Sequence, residues 1–237
     1  MPRKTYTKFQ SSFYLILSIL LSICFSSCYP EFKNPIPPPA ELKADPQILG
    51  TWVRTYKGGQ SEYKEQLSIF PRRSGWIDVV WIYDIDKKES SDGINLLVLE
   101  GYSTSVNKQR FLCLRYREKD SGYHFRKEAL NPNDNEYGEA PFYIVNYKTS
   151  KKSELIIMPF STQRVEELIK KDQLKGDIIK DKLFKEQGQS LDKVTVTSSS
   201  DELVKLISQQ GAGAFILDDP NDTFRPMNLL VFSKLGK

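Results

Sequence analysis

The chain has 237 residues, with 34 lysines and arginines against 30 aspartates and glutamates, a formal charge of +4, and 39% hydrophobic residues. Arg3, Lys4 and Lys8 lie in the first 27 residues, which hold no acid; without them the 34 basic residues come down to 31 against 30 acidic, and the remainder is almost neutral. That balance gives no electrostatic footprint for nucleic acid, so no nucleic-acid partner is expected.

The first 27 residues have the order of a signal peptide. Basic residues up to Lys8 are followed by an apolar run from Phe13 to Phe25, broken only by Ser18 and Ser22, and then by small Ser26 and Ser27. The run is shorter than the roughly 20 residues that span a bilayer. Phe25-Ser26-Ser27-Cys28 resembles the cleavage site of bacterial lipoproteins, with Cys28 as the first mature residue. The resemblance implies lipid attachment at Cys28, a membrane as partner, and a place in the bacterial cell envelope. Acyl chains contribute about 0.8 kcal/mol per buried CH₂, so a multiply acylated cysteine anchors without a membrane-spanning helix. Residues 28–47, with Pro30, Pro35, Pro37, Pro38 and Pro39, read as a polyproline tether.

Residues 48–237 suffice for one domain. Stretches of strand length follow one another at Ile48–Val53, Glu62–Phe70, Trp76–Ile85, Ile94–Ser105, Arg110–Arg117, Tyr123–Leu130, Phe142–Tyr147 and Glu154–Pro159. Turn formers such as Gly58-Gly59, Arg73-Ser74-Gly75 and Ser91-Asp92-Gly93 separate them. Short links between successive strands imply antiparallel neighbours, and eight such strands close most economically into an up-and-down barrel with no exposed edge. The third strand alternates cleanly, with Ile77, Val79, Trp81 and Tyr83 on the apolar face and Asp78 and Asp84 on the other. The last two strands are apolar on both faces and need an outer cover.

That cover is expected from two C-terminal helices. Ser161 or Thr162 caps the first, whose stripe is Val165, Leu168 and Ile169; Ser199 and Glu202 form a capping box for the second, with Leu203, Leu206 and Ile207 inward and Gly211 as its stop. Val194–Thr197 and Asn228–Phe232 read as additional short strands. The expected class is mainly β with flanking helices.

Within this layout, Gly50-Thr51-Trp52 resembles the glycine-x-tryptophan opening of lipocalin-like barrels, eight-stranded binders of small molecules. The resemblance implies that Gly50 permits a close backbone approach and that Trp52 closes the barrel's base. The arginine that such barrels pack over the tryptophan has no counterpart in the pattern, since Arg225 lies in a loop-like stretch beside Pro226.

Candidate chemistry is sparse. Glu65 shares parity with Leu67 and Ile69, which points a carboxylate inward, where it orients a ligand, acts as a base or meets water at the barrel's mouth. Trp81 and Tyr83 are the aromatic candidates for lining a ligand site. Cys113 reads as a small core residue, although the only histidine, His124, lies in the next strand. One histidine and one thiol beyond Cys28 exclude the usual zinc sets, and the oxygen-rich turns 131–136 and 218–222 lack a complete calcium-loop pattern. No metal or cofactor is expected. Three functions follow: binding of a small apolar or amphipathic ligand in the barrel or support of envelope maintenance, display of its loops to an envelope protein, or a hydrolase-like or isomerase-like enzyme built on the inward carboxylate.

Overall fold

The computed structural model describes residues 29–58, 61–83, 95–117, 140–179, 193–216 and 229–235. The leader, Cys28, the stretch 123–130 with His124, Arg225 and both oxygen-rich turns lie outside the described residues.

Eight strands close into an antiparallel barrel, the architecture that the sequence implies. Seven follow one another as a meander: β2 (Gly50–Gly58), β3 (Ser61–Pro71), β4 (Ile77–Tyr83), β5 (Asn95–Val106), β6 (Gln109–Tyr116), β7 (Tyr143–Thr149) and β8 (Glu154–Pro159). The eighth lies beyond the helices in the chain. It is the C-terminal strand β11 (Leu230–Lys234), which pairs with both β8 and β2 and so closes the ring. Its period-2 pattern, Leu230 and Phe232 buried and Val231 exposed, suits a wall with one face in the core.

Inward-facing side chains fill much of this ring. Trp52, Leu67, Ile69, Ile77, Val79, Leu112, Leu155, Leu230 and Phe232 form one cluster, all below a tenth exposed. On the other face, Asp78 lies where the alternation puts it, toward solvent. Arg72 bridges Asp78 and Glu100, while Arg115 pairs with Glu100 at 3.0 Å and Arg117 with Asp78 at 3.4 Å, so opposite charges face one another across neighbouring strands.

A second core lies outside the barrel wall. Four successive residues of β6, Phe111 to Leu114, are buried, because Phe111 and Cys113 face outward into a covering layer. Helix α1 (Thr162–Lys170) is capped by Ser161, and α2 (Ser200–Gln210) has the full capping box of Ser199 and Glu202. Val165 and Leu168 from the first and Leu203, Leu206 and Ile207 from the second enter this core. Gly211, at φ 74°, ends α2, and Ala212–Phe215 continues as a 3₁₀ turn. Phe160 stacks on Phe215 at 4.6 Å and meets the edges of Phe32 and Phe111; such pairs add about 0.5–1.5 kcal/mol each beyond their buried area.

The proline-rich stretch differs from the free spacer its composition suggests. Glu31–Phe32 forms strand β1, which runs parallel to β10 (Lys193–Val196), and β10 pairs in turn with β9 (Gly176–Ile179). Phe32 and Ile36 are fully buried in the outer core. A chain of prolines has few N–H groups to offer, and here its carbonyls are satisfied by side chains: Ser200 donates to Pro35 at 2.7 Å, Tyr102 to Ile36 at 2.6 Å and Thr104 to Pro37 at 2.9 Å. The stretch therefore lies along the barrel wall as part of the fold.

Candidate functional site

The two ends of the barrel differ in chemistry. At the base, where β2 begins, Ile48 is fully buried and its carbonyl accepts from the Trp52 indole at 2.7 Å. Gly50 has φ 114°, a backbone conformation that side-chain-bearing residues rarely adopt, and this lets the chain turn from the Ile48 plug into β2. The ammonium of Lys234 lies 5.2 Å from the Trp52 ring. The cation that covers the tryptophan from β11 is thus a lysine, not the arginine that the resemblance implies.

A polar network completes the base. Arg110 donates to Asp45 at 3.1 Å, to Gln47 at 2.6 Å and to Thr149 at 3.0 Å, and the Tyr147 hydroxyl donates to Asp45 at 2.8 Å. Burial, reinforced by the bond to Asp45, pushes the Tyr147 hydroxyl's ionisation upward, so it stays a donor. This end is closed by hydrogen bonds on top of an apolar plug.

Toward the other end, the mouth, a charged pair stands inside the ring. Arg54 and Glu65 face each other across β2 and β3, and their side chains are 9% and 6% exposed. Arg54 Nη2 donates to Glu65 Oε1 at 2.9 Å and Nε to Oε2 at 3.2 Å, a fork that grips both carboxylate oxygens. The Trp81 indole N–H donates to Oε2 at 3.2 Å, so three N–H donors converge on one carboxylate. The guanidinium lies 4.5 Å from the Tyr56 ring and 5.6 Å from the Phe232 ring. Trp81 meets Phe232 edge-on at 6.3 Å, and Tyr56 stacks on Tyr63 at 5.2 Å. The arrangement is a charged pair walled by aromatic rings at the polar end of an apolar barrel.

Two of the sequence candidates, Glu65 and Trp81, thus meet in one cluster. Tyr83 stands opposite Glu65 in the β3–β4 ladder. Gly50 and Trp52 are at the base. Arg54 carries no signal by residue type, since a lysine or arginine in a strand ordinarily points to water; its one signal in the sequence is its parity with Trp52. Cys113 faces the outer core, its thiol 3.8 Å from the Ile36 carbonyl, and burial pushes it up to about 12, so it remains a protonated core residue.

Outside the wall, a groove of about 290 Å³ runs between the β5–β6 turn, β7 and the 3₁₀ turn, lined by Gln109, Asn146, Met158 and Ala212 among others. Its polar groups already serve the fold: Gln109 accepts from the Ala212 N–H at 2.8 Å, and Asn146 donates to the Arg110 carbonyl at 2.9 Å. Among the described residues, no group of three or more histidine, cysteine, aspartate or glutamate side chains is placed to hold a metal ion, and no helix is long and apolar enough to cross a membrane. No family model, curated protein or solved structure matches the chain.

Proposed function

We propose that the chain is a lipid-anchored lipoprotein of the bacterial envelope whose lipocalin-like barrel binds a small amphipathic molecule at its mouth. The observation that carries this reading is the Arg54–Glu65–Trp81 cluster inside the ring. A buried ion pair seldom contributes more to stability than a well-packed apolar pair of the same volume, because taking both charges out of water costs several kcal/mol. A pair kept there in spite of that cost supports a role in recognition, with its fixed charges to orient a polar head and the aromatic walls to hold an apolar body. The basic and apolar leader ending at Cys28 supports the anchor. The enzyme reading has less support, since Glu65 accepts from three protein donors and so has little acceptor capacity left for a substrate.

The test is titration with an environment-sensitive apolar dye bearing an anionic head. Saturable binding with tryptophan quenching is expected, and Trp81→Ala should weaken it far more than Trp76→Ala. Trp76 packs against the outer core, beside Tyr102, and serves as the internal control. Equal losses from both substitutions, or no saturable binding, would remove the ligand reading and leave the envelope-protein partner as the better account.

A further inference from the structure

The proline-rich stretch joins the barrel at one definite end. Phe32 exchanges backbone hydrogen bonds with Phe142 at 2.8 and 2.9 Å, and the Tyr143 hydroxyl donates to Glu31 at 3.4 Å. Phe142 and Tyr143 stand where β7 begins, the same end as the last residues of β2, β4 and β6, hence at the mouth. From there the chain descends the outer wall. Ile36 meets Tyr102, the Leu42 carbonyl lies where a Cβ on Gly75 would sit, and Asp45 and Ile48 arrive at the base.

Only Tyr29 and Pro30 separate Cys28 from Glu31. Three residue steps reach at most about 11 Å even when fully extended. Resting on the lipoprotein reading, we infer that acylation of Cys28 holds the mouth of the barrel against the bilayer and turns the base away from it. The occupant of the mouth-side face is the lipid surface into which the protein's own acyl chains insert.

The end of the small sheet next to the anchor suits that surface. β1 and β10 run in the same direction, so the chain entering Glu31 comes from the Lys193 side, where Ile179 of β9 is the opposed residue. Ile179 is 60% exposed, and the Lys193 ammonium, on a side chain 41% exposed, lies 3.0 Å from Glu31. An exposed apolar side chain beside a lysine whose stem can lie along apolar surface is the composition of an interfacial contact. With the mouth at the bilayer, an amphipathic ligand passes between membrane and barrel without crossing bulk water.

The experiment uses the full chain with its own leader, purified from membranes and reconstituted into phosphatidylethanolamine–phosphatidylglycerol vesicles that carry a headgroup-attached nitroxide quencher. A fluorescent maleimide is placed on Ile179→Cys near the anchor, or on Leu235→Cys, whose N–H bonds Thr51 at the base and which is 55% exposed. Cys113 is buried and does not compete for the label. Quenching is expected at 179 and not at 235. A Gly/Ser spacer of about twelve residues inserted after Cys28, with a root-mean-square span of roughly 20 Å, should abolish the difference. The mass of the mature N-terminal peptide is read on the same samples. An acylated peptide with equal quenching at both labels, or stronger quenching at 235, overturns the orientation alone. An unmodified Cys28 overturns the anchor reading and the orientation together.

Discussion

Removing one member of the Arg54–Glu65 pair leaves the other charge stranded. The two side chains are 9% and 6% exposed, so water screens them little, and the carboxylate would lose the fork at 2.9 and 3.2 Å. Breaking a buried pair from one side costs about 3–5 kcal/mol, whereas replacing both members with apolar residues of similar volume is often neutral or stabilising. Arg54→Met and Glu65→Leu should therefore each lower stability by about 3–5 kcal/mol, while the double substitution regains most of that loss. The coupling is read from urea midpoints across the four proteins of the cycle. The double variant also separates fold from function, since it is expected to be folded and yet to lose saturable binding of the anionic dye. Additive losses with no coupling would mean that water reaches the pair and that the argument from desolvation fails. A double variant that binds as wild type would refute the role of the pair in recognition.

Two further predictions concern the wall between the cores. A Cβ on Gly101 would stand 2.0 Å from the Cys113 carbonyl oxygen, so Gly101→Ala should part β5 from β6 and lower stability by several kcal/mol; melting at the wild-type temperature would show that the strands yield at no cost. Burial raises the Cys113 thiol from 9.0 to about 12, so the protonated thiol contributes stability that is fully present below pH 9 and lost as pH rises through 12. Between those values the urea midpoint of wild type should fall more steeply than that of Cys113→Ala, and parallel curves would refute the linkage.

Most of the barrel was legible because its strands carry period-2 patterns and its turns carry glycine, asparagine and serine. Both helices were legible from their caps: Ser161 and the Ser199–Glu202 box mark their starts as the structure has them. What closes the ring was not legible as a partner choice. Asn228–Phe232 reads as a strand, but nothing local says that it belongs between β8 and β2, since pairing across the whole chain is set by which apolar face completes the core. The proline stretch misled for a related reason. Its composition argues for a spacer, and only Phe32 and Ile36 among the prolines hint that it has something to bury. Of the mouth cluster, Glu65 and Trp81 were legible by parity, whereas Arg54 required knowing that β2 and β3 bring it directly opposite the carboxylate.

The stretch from Glu31 to Ile48 ties the two ends of the barrel together. At the mouth it supplies β1; along the wall it supplies Phe32 and Ile36, whose burial contributes about 1.5–3 kcal/mol each; at the base it supplies Asp45, Gln47 and Ile48. A chain begun at Ile48 would keep every barrel strand and lose the partners of Tyr102, Arg110 and Tyr147 at once. Arg110 would keep Thr149, but the hydroxyls of the buried Tyr102 and Tyr147 would lose acceptors, which costs more than the contacts themselves are worth, so part of the loss would be felt at the base, far from the segment's own N-terminus. The element that composition marks as a removable leash is thus the one that holds the base shut, at the end of the barrel opposite Arg54, Glu65 and Trp81.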